Sequence, residues 1–67
     1  MAKAYTNFGS LDIAAETPKA VLICWRNREV WLPKSQVRFV EVTQGPFAGT
    51  TDIYIANWLA AQNRMLY

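Results

Sequence analysis

The stretch that most constrains the fold is residues 20–32, where two apolar runs flank a short polar turn. Two β-prone runs joined by a few polar residues are typical of a β-hairpin. We predict strands at residues 20–26 and 29–32, joined by Asn27 and Arg28 as a two-residue loop. Asn suits such a loop because it tolerates positive φ.

This hairpin predicts a register and two distinct faces. The expected cross-strand pairs are Arg26 with Glu29, Trp25 with Val30, Cys24 with Trp31 and Ile23 with Leu32. One face is then wholly apolar and is assigned to the core: Val21, Ile23, Trp25, Val30 and Leu32. The other face carries Leu22, Cys24 and Trp31 and needs a cover, which we expect the C-terminal helix to provide.

Further alternating runs predict strands at residues 10–15, 37–42 and 51–56. Asn57 is a suitable N-cap for a short helix, whose predicted inward stripe is Trp58, Ala61 and Met65. Residues 1–8 are expected to be loosely held. The predicted core comprises Leu11, Ile13, Val21, Ile23, Trp25, Val30, Leu32, Val37, Phe39, Ile53, Ile55, Trp58 and Met65.

These elements predict one mainly β domain over residues 1–67. We expect about five antiparallel strands, curled into a sheet or a small SH3- or OB-like barrel, with a short C-terminal helix. Closure would remove exposed sheet edges, which a chain of this size needs to protect.

The composition restricts the cross-links, metal sites and catalytic groups that this chain can have. The 67 residues include one cysteine and no histidine, so an intrachain disulfide, a zinc site and a histidine general base are ruled out. We therefore predict no enzymatic activity, no metal and no cofactor. A small chain without disulfides is typical of a reducing cytoplasm. The sequence shows no signal peptide and no apolar run of membrane-spanning length.

The charge is concentrated around the hairpin. Residues 19–38 carry five basic residues and one acid, a net charge of +4, whereas the whole chain is +2. Arginine and tryptophan dominate protein interfaces, and cations interleaved with aromatic rings also suit single-stranded nucleic acid. The candidate partner-binding residues are Arg26, Arg28, Trp31, Lys34, Arg38 and Tyr54.

Three segments carry a resemblance to a group of known sequences: residues 16–23, residues 29–37 and Trp58-Leu59-Ala60. The most specific part is Val30-Trp31-Leu32-Pro33-Lys34-Ser35-Gln36. The pattern resembles small accessory proteins of bacteriophages and mobile elements. This resemblance implies a source, and proteins of that source often inhibit host machinery, including CRISPR effectors, or bind nucleic acid.

We therefore expect a non-enzymatic binding module that occludes a host protein or nucleoprotein machine, with anti-CRISPR-type inhibition as the sharpest form. The alternative is a single-stranded DNA- or RNA-binding protein that uses the same residues. A homodimer is also compatible with the sequence, since a marginal core gains from association. No membrane partner is expected.

Overall fold

A computed structural model describes residues 4–66 and contains six strands, one 3₁₀ turn and one helix. The elements are β1 Tyr5–Asn7, β2 Ile13–Glu16, β3 Ala20–Trp25, β4 Arg28–Pro33, the 3₁₀ turn Lys34–Gln36, β5 Val37–Glu41, β6 Thr51–Ala56 and α1 Asn57–Gln62. The predicted mainly β class with a short C-terminal helix is confirmed.

The strands form two antiparallel sheets of three strands each, which we call sheet A and sheet B. Sheet A has the order β1-β6-β5, and sheet B is the meander β2-β3-β4. The prediction of about five strands in one curled sheet or small barrel is wrong in both number and closure. Pro33 ends β4, and the 3₁₀ turn Lys34–Gln36 redirects the chain so that β5 joins β6.

The additional strand is β1, in the region that the sequence predicted to be loosely held. Tyr5 pairs with Ala56 and Asn7 with Tyr54. Three residues are too few for alternation to be visible in the sequence, so this strand depends on pairing with β6. Residues 1–3, which belong to the same prediction, lie outside the described residues.

The hairpin is present, but its loop is Arg26-Asn27 rather than Asn27-Arg28. Both loop residues have positive φ, +47° and +66°, as a type I′ turn requires. Ile23 consequently pairs with Val30 and Trp25 with Arg28, so the predicted register is wrong. The loop has the predicted length of two residues and the pairing is shifted by two residues. Because this shift is an even number, each side chain keeps its predicted face.

The core lies between the two sheets. Sheet B contributes Val21, Ile23, Val30 and Leu32, and sheet A contributes Val37, Ile53, Ile55 and Ala56; Leu59, Ala60 and Met65 complete it. Eight of the thirteen predicted core residues are buried: Val21, Ile23, Val30, Leu32, Val37, Ile53, Ile55 and Met65. Leu11 and Trp25 are partly buried against this cluster.

Three predicted core residues are exposed instead: Ile13, Phe39 and Trp58 are 45%, 45% and 51% accessible. Ile13 precedes a β-bulge in β2 that disrupts its alternation. Phe39 lies on an outer strand of sheet A. The helix is rotated relative to the predicted stripe, so that Leu59 and Ala60 are buried while Trp58 faces solvent.

Candidate binding surface

The outward side of sheet B carries an apolar surface centred on an exposed tryptophan. We call it the Trp31 face and define it as Ala15, Leu22, Cys24, Trp31 and Pro33. Trp31 pairs with Leu22 across the β3–β4 ladder, and Leu22 pairs with Ala15 across β2–β3. These residues alternate with the buried Val21, Ile23, Val30 and Leu32, so they point away from the core.

The C-terminal helix does not cover this face, contrary to the prediction. The helix directs Leu59 and Ala60 into the core and packs beside β6 of sheet A. Trp31 is therefore left 50% exposed, and Leu22 and Cys24 are half-buried. Among the described residues, the Trp31 indole N–H has no hydrogen-bond acceptor. Half of a large ring and one open donor are thus presented together to solvent.

The hairpin end of sheet B holds a second cluster, built on Trp25. The guanidinium carbons of Arg26 and Arg28 lie 4.8 Å and 5.1 Å from the Trp25 ring centroid. Phe8 meets the same ring edge-on at a centroid distance of 6.3 Å. The two arginine distances are within the range of cation–π attraction. The Trp25 ring is therefore already in contact with two cations and a second aromatic ring.

Arg28 also ties the hairpin to the end of the helix. Its Nη2 donates to the backbone carbonyl oxygens of Asn63 at 2.7 Å and Arg64 at 3.4 Å. Those carbonyls belong to a Schellman-type helix end, in which Met65 N–H bonds the Ala60 carbonyl and Arg64 has a φ of +60°. Arg28 thus has a structural role that the sequence did not indicate.

The outward side of sheet A carries the exposed Val40 and a group of polar and aromatic side chains, which we call the Tyr54 face: Tyr5, Asn7, Arg38, Asp52 and Tyr54. Asn7 Nδ2 donates to Asp52 Oδ2 at 3.1 Å and to the Tyr54 hydroxyl at 3.3 Å. The Arg38 guanidinium lies 5.2 Å from the Tyr5 ring centroid, and its Nη1 donates to the Val37 carbonyl at 3.3 Å. The polar contacts of this face therefore form two groups, one of Asn7 with Asp52 and Tyr54 and one of Arg38 with Tyr5.

Lys34 has a carboxylate partner as well. Its Nζ forms a salt bridge with Glu16 Oε2, joining the 3₁₀ turn to the end of β2. Both side chains are partly exposed, so the pair contributes only about 0.2–1 kcal/mol. The lysine is nonetheless neutralised locally, which weakens it as an anchor for an external phosphate.

The six predicted partner-binding residues therefore do not form one surface. Arg26 and Arg28 share the hairpin end, whereas Trp31 lies on the outward side of sheet B. Arg38 and Tyr54 are cross-strand neighbours on the outward side of sheet A. Because the two sheets enclose a common core, their outward sides face opposite directions.

Pro33 and Tyr5 are among the members of these surfaces that were not predicted as binding residues. Pro33 extends the Trp31 face, and Tyr5 stacks on Arg38 in the Tyr54 face. The position of Pro33 could have been inferred, because it alternates in phase with Trp31. Tyr5 could not, because its placement depends on the unpredicted pairing of β1 with β6.

Other kinds of site are less developed. A cleft of about 360 Å³ lies beside the loop of residues 44–50, but its Phe47 is 72% exposed, so it is open to solvent. Within residues 4–66, no cluster of three or more Cys, Asp or Glu could hold a metal ion. No helix in this range has the length and apolar character needed to cross a membrane.

Comparison with known proteins adds no relative: no family model matches the chain, and no curated protein or solved structure is significantly similar to it. The resemblance to phage accessory proteins therefore stays a prediction.

Proposed function

We propose that this protein is a non-enzymatic binding module and that a partner protein docks on the Trp31 face. The observation that carries the proposal is the 50% exposure of Trp31 beside the half-buried Leu22, on a face that no other element of residues 4–66 covers. Clustered exposed apolar side chains mark interaction sites, and tryptophan is among the residues that contribute most to interfaces.

The chemistry of this face specifies the partner's surface. The indole ring needs an apolar socket, and its open N–H needs an acceptor such as a backbone carbonyl at the socket's edge. Glu29 and the Glu16–Lys34 pair border the face, so its rim carries both signs of charge. A mixed-charge protein rim is a better match for it than a polyanion.

Occlusion of a host protein or nucleoprotein machine is the specific form that we propose for this binding. Its support is the resemblance to phage accessory proteins, whose most specific segment, residues 30–36, contains Trp31 and Pro33. On this proposal, the small domain covers a functional surface of the machine, and anti-CRISPR-type inhibition is one instance.

Single-stranded DNA or RNA binding is the alternative, and the hairpin end supports it. Arg26 and Arg28 provide two cations whose guanidinium carbons lie 4.8 Å and 5.1 Å from the centroid of the Trp25 ring. Against it, Arg28 is held by two backbone carbonyls, Lys34 by Glu16, and Arg38 by Tyr5 and a carbonyl. Cations that already have hydrogen-bond or ion-pair partners are less available to bind phosphate groups.

The test compares Trp31→Ala with Trp58→Ala, a matched control because the two rings are 50% and 51% exposed. The immobilised chain is incubated with bacterial lysate, and retained proteins are identified by mass spectrometry. We expect a protein that wild type and Trp58→Ala retain and Trp31→Ala loses, with affinity falling by roughly thirtyfold for a hot-spot residue. Equal retention by all three chains, or no retained protein, would contradict the proposal.

A parallel titration tests the alternative, which is binding of single-stranded DNA or RNA. A random single-stranded oligonucleotide is added at low salt and tryptophan fluorescence is followed. Quenching that salt reverses and that Arg26→Glu abolishes would favour nucleic-acid binding, because phosphate contacts release counterions. No quenching at low salt would remove that alternative and leave the protein-binding proposal to the lysate experiment.

A further inference from the structure

The two sheets have four edge strands, and three of them have features that discourage pairing with another chain. β1 is only three residues long, β2 contains a bulge, and β4 carries Arg28, Glu29 and a terminal Pro33. Short strands, bulges, charges and proline are the usual protection of sheet edges. β5 also carries two charges, Arg38 and Glu41, but it contains no proline or bulge, and its register with β6 is continuous over Val37–Glu41.

The direction of the free backbone groups on β5 follows from the pairing of its neighbour. Ile53 accepts from Phe8 N–H at 2.8 Å and donates to the Gly9 carbonyl at 2.9 Å, so its backbone points away from β5. Phe39, directly opposite Ile53, is therefore in a non-hydrogen-bonded pair. The N–H and C=O groups of Phe39, and of Glu41 two residues on, point out of the sheet, with no backbone partner among residues 4–66.

The side chains of this strand are also open. Phe39 and Val40 project to opposite faces of sheet A and are 45% and 47% exposed. The middle of β5 thus presents apolar surface on both faces and unpaired hydrogen-bonding groups along its edge. This combination is the usual template for strand addition.

We propose that β5 pairs antiparallel with β5 of a second copy of this chain, with Val40 on the two-fold axis. In this register Phe39 lies opposite the partner's Glu41, and the reverse pair is generated by symmetry. Each pair exchanges two backbone hydrogen bonds, so the four open groups of each copy are all satisfied. The two copies of sheet A become one six-stranded sheet.

Other two-fold registers fit less well. An axis at Phe39 would pair Val37 with the partner's Glu41, but Val37 N–H already bonds the Lys34 carbonyl and its C=O accepts from Arg38. An axis at Glu41 would place two carboxylates opposite each other, which is destabilising. The axis at Val40 avoids both conflicts. It also leaves the Trp31 face on the other sheet, so this inference is independent of the proposed function.

The test is sedimentation velocity on the wild-type chain from micromolar to millimolar concentration, because pairing of one short strand predicts a small interface and a weak dimer. We expect the mass to rise from the 7.6 kDa monomer towards twice that value. Val40→Lys places two ammonium groups at the axis and should weaken association by at least about tenfold. Phe47→Lys, on the exposed loop tip, is the control and should leave it unchanged.

Amide hydrogen exchange gives a second reading that needs no substitution. The Phe39 and Glu41 amides should be protected at high concentration and exchange rapidly at low concentration. The Arg38 and Val40 amides face β6 in both states and should vary much less. A chain that stays monomeric throughout, a dimer that survives Val40→Lys, or rapid exchange of Phe39 and Glu41 at every concentration would overturn the proposal.

Discussion

The two sheets present similar inward sides and opposite outward sides. Inside, both are lined by aliphatic side chains that are almost fully buried. Outside, the Tyr54 face of sheet A links Asn7, Asp52 and Tyr54 by hydrogen bonds and stacks Arg38 on Tyr5. The Trp31 face of sheet B has no comparable side-chain network among the described residues. It exposes half of an indole ring beside Leu22.

This difference indicates which outward side of a sheet would be stabilised by a binding partner. Where polar groups satisfy one another, the face is adequately completed by water, and an added partner gains little. Where large apolar area and an open donor remain, a partner gains both burial and a hydrogen bond. The Trp31 face is therefore the better candidate interface, although the Tyr54 face carries two of the predicted partner-binding residues.

The largest expected effect tests whether the inward sides are equivalent. Leu32→Ala in sheet B and Ile55→Ala in sheet A each remove a fully buried side chain. Each should lower the free energy of unfolding by about 3 kcal/mol, because a cavity adds to the lost transfer energy. Urea unfolding followed by circular dichroism measures both. A cost below about 1 kcal/mol for one of them would mean that its sheet contributes little to the core.

An intermediate effect is expected at the hairpin end, the part of sheet B with strong polar contacts. Arg28→Ala removes two hydrogen bonds to backbone carbonyls and should cost about 1–1.5 kcal/mol. Arg26→Ala is the control, since Arg26 shares with Arg28 the contact with Trp25, worth about 0.5 kcal/mol, but has no hydrogen bond to the helix end among residues 4–66. The same urea titration applies, and an equal cost for both variants would argue against the role assigned to the helix-end carbonyls.

The smallest effect tests whether the Tyr54 face is held by its polar network. Asn7→Ala removes the bonds to Asp52 and Tyr54, and also the acceptor of the Gly9 N–H, 2.7 Å away. Since all three bonds are exposed, the expected cost is about 0.5–1 kcal/mol. Asn7→Asp retains the acceptor for Gly9 but places a carboxylate beside Asp52, so it should be destabilising as well. Wild-type stability in Asn7→Asp would show that the network contributes nothing.

Much of the fold could be predicted because alternation along a strand is a local property. The buried side chains of β3 and β4 were all identified, as were Ile53 and Ile55 of β6 but not Ala56, and a register error of two residues left them unaffected. The rotation of the helix was not predictable from Trp58, Ala61 and Met65 alone. Several apolar residues follow one another there, and the alternative stripe of Leu59 and Ala60 fits the same short helix.

The candidate partner-binding residues were predicted to form one surface, but they lie on separate parts of the structure. The exposure of Trp31 depends on which element covers sheet B. Whether Arg28 and Lys34 are available to a partner depends on hydrogen bonds to residues that are distant in the sequence. Arg28 bonds carbonyls 35 and 36 residues away, and Lys34 bonds a carboxylate 18 residues away. Charge counting alone treats such residues as free.

The sequence by itself determined the β-rich class, the hairpin, the terminal helix and the side of each central strand that faces the core. These follow from steric preferences and apolar alternation acting over a few residues. Only the tertiary structure decided that there are two sheets, that β1 joins the first of them, and that the Trp31 face and the β5 edge stay open. Those outcomes depend on pairing between distant segments, and that pairing is selected by the burial of the whole core rather than by any local pattern.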